Sequence, residues 1–231
     1  MLLQEMNLVL PTFKISTKLS DVDADSLRQA EQEFLEILGE KRSGTLLVKD
    51  IFHVLDGLTE EYLKTNRIAC ENGCSYCCRQ LVCATLLEAE VIIDYLKRLP
   101  RATRREITRK AKKEAFRFYE RNQAVLTLTS RWEDAGRHLR QSHHGKPCMF
   151  LNASGRCSIY PARPIDCRTA KTREQCGRIP EGEARPKDIR LFCDQIASNL
   201  ITEEEERING AAQVIPLIAL PISKQFGEFF G

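Results

Sequence analysis

Apolar residues recur at helical spacing along most of this chain. Leu27, Ala30, Phe34, Leu35 and Leu38 fall on one stripe, and Gly39 follows as a stop. A second stripe, Leu47, Ile51, Val54, Leu55, Leu58 and Tyr62, has Lys49, Asp50, Glu60 and Lys64 largely off it and leads to Cys70. Leu81–Ala84 is a short apolar run. Thr85 and Glu88 then make a capping-box pattern, which predicts a helix to Leu99, stopped by Pro100. Thr103 and Glu106 repeat the device ahead of a long helix through Ile107, Ala111, Ala115, Phe116 and Tyr119 that reaches toward Leu139. Thr202 and Glu205 predict a third start, opening a last helix at Ile208 to about Ile215. Pro216 and Pro221 interrupt the apolar tail, and Phe226, Phe229 and Phe230 either dock it or offer a partner patch. Residues 1–20 show no sustained period and read as an irregular arm.

Between these helices lies a different pattern. Cys148–Leu151 and Arg156–Tyr160 are short apolar runs around an Asn152–Gly155 turn, the signature of a small hairpin, and Pro164 suits a helix start. The fold class expected is mainly α: a helical scaffold with a small β-hairpin and a cysteine-rich metal-binding core. The organisation expected is an N-terminal helical arm over 1–66 and a cysteine-cluster domain over 67–200 with a helical insertion at about 85–141. A C-terminal helix over 201–231 packs on that body. No internal repeat or low-complexity segment interrupts this plan.

Composition sharpens the picture at one point. A chain of 231 residues can bury a core without staples, yet it carries ten cysteines, all between Cys70 and Cys193. In a secreted domain that concentration is a disulfide framework; in a reducing compartment it is metal or redox chemistry. The first residues have no basic leader, and Gln4, Glu5 and Asn7 break up their apolar run, so a cytoplasmic protein without a membrane span is expected. A net charge of +3 does not argue for nucleic acid. The basic run Arg101, Arg104, Arg105, Arg109, Lys110, Lys112, Lys113, Arg117 and Arg121 lacks interleaved aromatic residues and reads as a solvated helix face. A redox or protein partner is expected instead.

Metals bind thiolates, and several thiolates share an ion only where the backbone lets them converge. Cys70, Cys74 and Cys77 are spaced by four and then three, which suits one helix face or a loop wrapped round an ion, and Gly73 favours a loop. Cys78, a direct neighbour of Cys77, serves a second ion or replaces it. Cys148, Cys157 and Cys167, on the hairpin and the turn beyond, supply the remaining ligands. Arg156, Arg163 and Arg168 stand beside that second set, placed to donate N–H bonds to sulfur or to balance its charge. Cys83 and Cys193 have apolar neighbours and read equally as packing, while His143 and His144 read first as solvated loop residues and second as ligands. Asp166 reads as a helix-start acid rather than a proton carrier.

The pattern Cys70-x3-Cys74-x2-Cys77-Cys78, then Pro147-Cys148-x-Phe150-Leu151, then Gly155-x-Cys157-x-Ile159-Tyr160-x2-Arg163-Pro164-x2-Cys167-Arg168 resembles the YkgJ-type cysteine-cluster family. The resemblance covers about residues 70–195, and Cys193 fits a late cysteine of that family. It implies a zinc- or iron-chelating domain, often labelled an iron–sulfur oxidoreductase. A flagellin lysine methylase is similar in the cysteine motif and implies methyl transfer by analogy alone. The long basic insertion and the terminal helices depart from the pattern.

Two functions follow as expectations. One is an iron–sulfur protein, with a 4Fe–4S cluster held by four of these cysteines and a role in electron transfer or redox chemistry. The other is a structural zinc module that works by binding a partner. A radical enzyme using S-adenosylmethionine is set aside, because the chain lacks the strand–helix succession its barrel needs. No nucleophile–base pair, phosphate loop or paired carboxylates stand out.

Overall fold

The Thr85 hydroxyl accepts the Glu88 N–H at 3.2 Å, and the Glu88 carboxylate accepts the Thr85 N–H at 2.8 Å, so the first capping box opens helix α3, Leu86–Arg98. The computed structural model describes residues 13–14, 24–40, 42–65, 74–128, 131–170 and 192–231. Ahead of α3 come strand β1 (Phe13–Lys14), α1 (Ala24–Leu38), α2 (Gly44–Thr65) and strand β2 (Cys83–Thr85). After it come α4 (Arg101–Leu128), α5 (Trp132–His143), α6 (Ile165–Arg168), α7 (Phe192–Asn209), strand β3 (Gln213–Pro216), a 3-10 turn over Leu217–Ile222 and α8 (Gly227–Phe230). The class is mainly α.

The stripes read from the sequence face one core. Phe34 of α1, Leu47, Ile51 and Leu55 of α2, and Ile92 and Leu96 of α3 are buried together. The 217–222 turn packs against α4, whose Ile107, Ala111, Ala115 and Phe118 face inward. Phe226 and Phe230 are buried, so the C-terminal phenylalanines dock the tail. The strands form one antiparallel sheet in the order β1-β3-β2, pairing Phe13 with Val214 and Thr85 with Val214. Residues 13–14 thus belong to a strand where an irregular arm was expected, because their partner lies at the far end of the chain.

Three other expectations fail. The long helix stops at Leu128, and α5 begins separately at Trp132 with Glu133 and Asp134 in its first turn, where the helix dipole favours acids. Thr103 lies inside α4, which starts directly after Pro100, whose carbonyl accepts the Arg104 N–H at 2.9 Å. Thr202 and Glu205 also lie mid-helix, in α7. The Thr202 hydroxyl turns back to the Ser198 carbonyl at 2.8 Å, and the helix ends at Gly210, whose φ is +74°. No helix starts near Ile208, which lies in the last turn of α7, and β3 takes Gln213–Pro216.

The glutamates of that false start cap other helices. Glu204 accepts the Gly44 N–H at 2.6 Å and the Ser43 hydroxyl at 2.8 Å, at the start of α2. Glu205 accepts the Leu87 N–H at 3.0 Å, in the first turn of α3. Free N–H groups at two helix starts are thereby satisfied from a third helix. The Arg207 hydrogen bond holds the Glu204 carboxyl down to about 2 despite some burial. Burial pushes Glu205 upward, opposed by the Leu87 N–H. Among the described residues no helix is long and apolar enough to cross a membrane.

Candidate metal centre

Cys74 and Ser75 lead into a 3-10 turn over Cys77–Arg79, closed by the Arg79 N–H on the Tyr76 carbonyl at 3.1 Å and the Gln80 N–H on the Cys77 carbonyl at 3.3 Å. The second cysteine segment is stitched to this turn through the backbone. The Cys148 N–H donates to the Cys78 carbonyl at 2.7 Å, and the Gly145 N–H to the Arg79 carbonyl at 3.0 Å.

Beyond Cys148 the expected hairpin shrinks to a tight loop with one bridge, between Leu151 and Cys157. Asn152 builds it: its side-chain oxygen accepts the N–H groups of Ser154 at 3.0 Å and Arg156 at 2.9 Å. Gly155 has φ +73°, a conformation that favours glycine, and an added Cβ there would stand 3.9 Å from the Ser75 hydroxyl. The tip of the second segment therefore lies over the start of the first.

Cys167 sits on the short α6, held by the Cys167 N–H on the Pro164 carbonyl at 3.0 Å and anchored by Glu88, whose carboxylate accepts the Ile165 N–H at 2.8 Å. Burial pushes Glu88 up to about 7, against those backbone N–H bonds. Asp166 takes the first turn of α6, as expected.

In the described part of the two motifs, Cys74, Cys77, Cys78, Cys148, Cys157 and Cys167 form no disulfide. Cys74 is exposed and the other five are half-buried. Those five sense one another. A hydrogen bond with Cys77, then burial and the neighbouring thiols Cys148 and Cys167, push Cys78 up. Burial pushes Cys148 up to about 11, and Cys157 and Cys77 add to it. Burial also raises Cys157, and raises Cys167 strongly, with the other thiols adding again. Thiols so placed repel one another when ionised and keep their protons unless a cation joins them.

Two of these sulfurs already carry donors suited to thiolate. The Phe150 backbone N–H bonds to Cys148, and the Ile159 backbone N–H bonds to Cys157; each favours the ionised sulfur. Both donors lie two residues beyond their cysteine. Of the arginines expected in that role, Arg168 does something else and Arg163 keeps part of it. Arg168 pairs with Asp56 of α2, donates to the carbonyls of Pro161 at 2.6 Å and Arg163 at 2.9 Å, and lies over the Phe52 ring at 4.1 Å. Arg163 stacks on Tyr160 at 4.0 Å and reaches Asp56 at 3.9 Å, and its charge still eases ionisation of Cys157. The guanidinium groups brace the loop, since a buried cation must find oxygen acceptors.

His143 is buried edge-on to Phe118 with ring centroids 5.9 Å apart, and burial with the charges of Lys146 and Arg121 lowers it to about 4. Its Nδ1 is buried without a hydrogen-bond partner among the described residues, while His144 is exposed. Cys83 lies on β2, and Cys193 in the first turn of α7. Cys70 and Cys176 lie outside the described residues. Among the described residues no three Cys, His, Asp or Glu side chains stand in an arrangement that could hold an ion as it is. What fits a metal is the donor chemistry: five mutually repelling thiols on two stitched loops, two of them with N–H groups on sulfur. Sequence reading missed Glu88 and Asp56 as anchors, which carry no local signal. The N–H donors had one, the shared Cys-x-apolar pattern at Cys148 and Cys157.

These loops belong to a class of proteins that bind metal through clustered cysteines. The chain is a member of the CxxCxxCC family, described as a putative zinc- or iron-chelating domain, whose model matches residues 69–199. No similar curated protein and no similar solved structure was found.

Proposed function

We propose that the protein holds an iron–sulfur cluster of the 4Fe–4S type and works in electron transfer or redox chemistry in the cytoplasm, with a protein redox partner. The ligands come from Cys70, Cys74, Cys77, Cys78, Cys148, Cys157 and Cys167. The observation that carries this reading is the shared electrostatic neighbourhood of Cys77, Cys78, Cys148, Cys157 and Cys167. Five thiols more than meet the four that a 4Fe–4S cluster takes. The cluster would supply reversible one-electron chemistry. The protein's own part is to hold the sulfurs on two stitched loops and to donate N–H bonds from Phe150 and Ile159, which favour the more negative, reduced state.

A second reading has its own support: the Cys148–Cys78 stitch is where a closed structural zinc site would clamp the two segments together. Anaerobic purification separates the two. Brown protein with iron and acid-labile sulfide carries the first; colourless protein with stoichiometric zinc replaces it by the second. Cys74→Ser loses metal in either case, and unchanged metal content in that variant would remove Cys74 from the ligand set.

A further inference from the structure

Lys110 belongs by sequence to the basic row on α4, yet it does not share the row's surroundings. Arg109 and Lys113 beside it are exposed, whereas Lys110 is half-buried and reaches the cysteine loop, where its Nζ donates to the Leu151 carbonyl. Leu151 stands between two of the candidate ligands: its N–H donates to the Cys148 carbonyl at 3.1 Å, and it is the residue that bridges to Cys157. On the same helix Arg117 pairs with Glu114 at 2.9 Å. Lys110 has a neutral carbonyl instead and, among the described residues, no carboxylate. A charge drawn partly out of water is destabilising until an anion meets it. That charge is felt inside the loop: burial raises the Cys148 thiol most, and Lys110 works against it, easing loss of the proton.

Thiolates gathered round a divalent ion leave the site negative overall. Arg168 and Arg163 share Asp56, so their charge is already met. We propose that the Lys110 ammonium is the fixed countercharge of the metal centre: it offsets the negative charge that the ligating thiolates bring, while its bond to Leu151 holds the loop between Cys148 and Cys157. The proposal rests on the reading of the cysteines as metal ligands and holds for zinc as for an iron–sulfur cluster. Lys110 is a positioning residue, since it touches the loop backbone and acts on the site through its charge.

The test exchanges cadmium, whose thiolate complexes absorb in the ultraviolet, into the full-length protein and measures its affinity by competition with a chelator. Lys110→Gln keeps a donor for the Leu151 carbonyl and removes only the charge; it should bind cadmium about ten-fold more weakly. Lys110→Arg keeps the charge and should stay within about three-fold of the parent. Lys110→Met removes charge and donor together and should be at least as weak as Lys110→Gln, so the charge is still read should one neutral variant fail to fold. Lys113→Gln, exposed on the same helix, should leave the affinity unchanged. Parent affinity in a folded Lys110→Gln or Lys110→Met protein overturns the proposal. So does an equal loss in Lys110→Arg, which would make shape rather than charge the cause, or in Lys113→Gln, which would make it the general basic field. A parent protein without a cadmium–thiolate band fails the metal reading itself, whereas a cadmium-binding parent with an indifferent Lys110→Gln fails the countercharge alone.

Discussion

The backbone N–H of Cys148 donates to the carbonyl oxygen of Cys78 across 2.7 Å. Two segments far apart in sequence are registered by this bond before any ion is considered, and it uses no side-chain atom. Substitution of either cysteine therefore leaves the stitch intact and removes only a sulfur. Cys148→Ser should fold and lower metal affinity by more than about 100-fold, while Cys83→Ser, on β2, keeps its metal. Metal analysis beside circular dichroism checks this; full metal content in Cys148→Ser would take it out of the site.

Metal uptake should be steeply pH-dependent. Burial holds the Cys148 thiol up to about 11, and Cys78, Cys157 and Cys167 are raised as well, so the metal-free thiols are protonated at neutral pH. An ion that binds thiolate displaces those protons, and acid opposes binding. Affinity should rise by about ten-fold per pH unit for each proton released. Competition with a chromophoric zinc chelator between about pH 6.5 and 8.5 measures the slope; a flat profile would show that the thiols are not the ligands.

His143 should make the fold acid-sensitive. Its imidazole is lowered from 6.5 to about 4, chiefly by burial, so the folded state prefers it neutral. That contribution is fully present above pH 6.5 and is lost as the pH falls toward about 4, by at most about 3 kcal/mol. Urea unfolding across this window should show the loss in the parent and a shallower dependence in His143→Leu. Identical slopes would mean that the imidazole takes a proton without disturbing Phe118.

Glu205 should matter for α3 although it lies on α7. Glu205→Ala leaves the Leu87 N–H, in the first turn of α3, without its acceptor, at a cost of about 1–3 kcal/mol. Glu205→Gln keeps a carbonyl oxygen in place and should cost less. Denaturation midpoints of the two variants decide it, and equal midpoints would show that water replaces the carboxylate.

The sequence by itself determined the helices whose apolar stripes repeat, such as Leu47 to Leu55, because periodicity is a local property that burial then rewards. It also marked the cysteines of the two motifs as candidate ligands, since their spacing and density are chemical facts about the chain. It could not tell a helix start from a helix middle at Thr103 or Thr202, because the same residues serve as caps only where the chain has not already begun to coil. Pro100 and the run of α7 decided that. Only the tertiary structure decided that Glu204 and Glu205 cap α2 and α3, that Asp56 takes the arginine meant for sulfur, and that Phe13 pairs with Val214. Each of these bonds joins groups whose separation along the chain carries no pattern, so their partners exist only once the helices have packed.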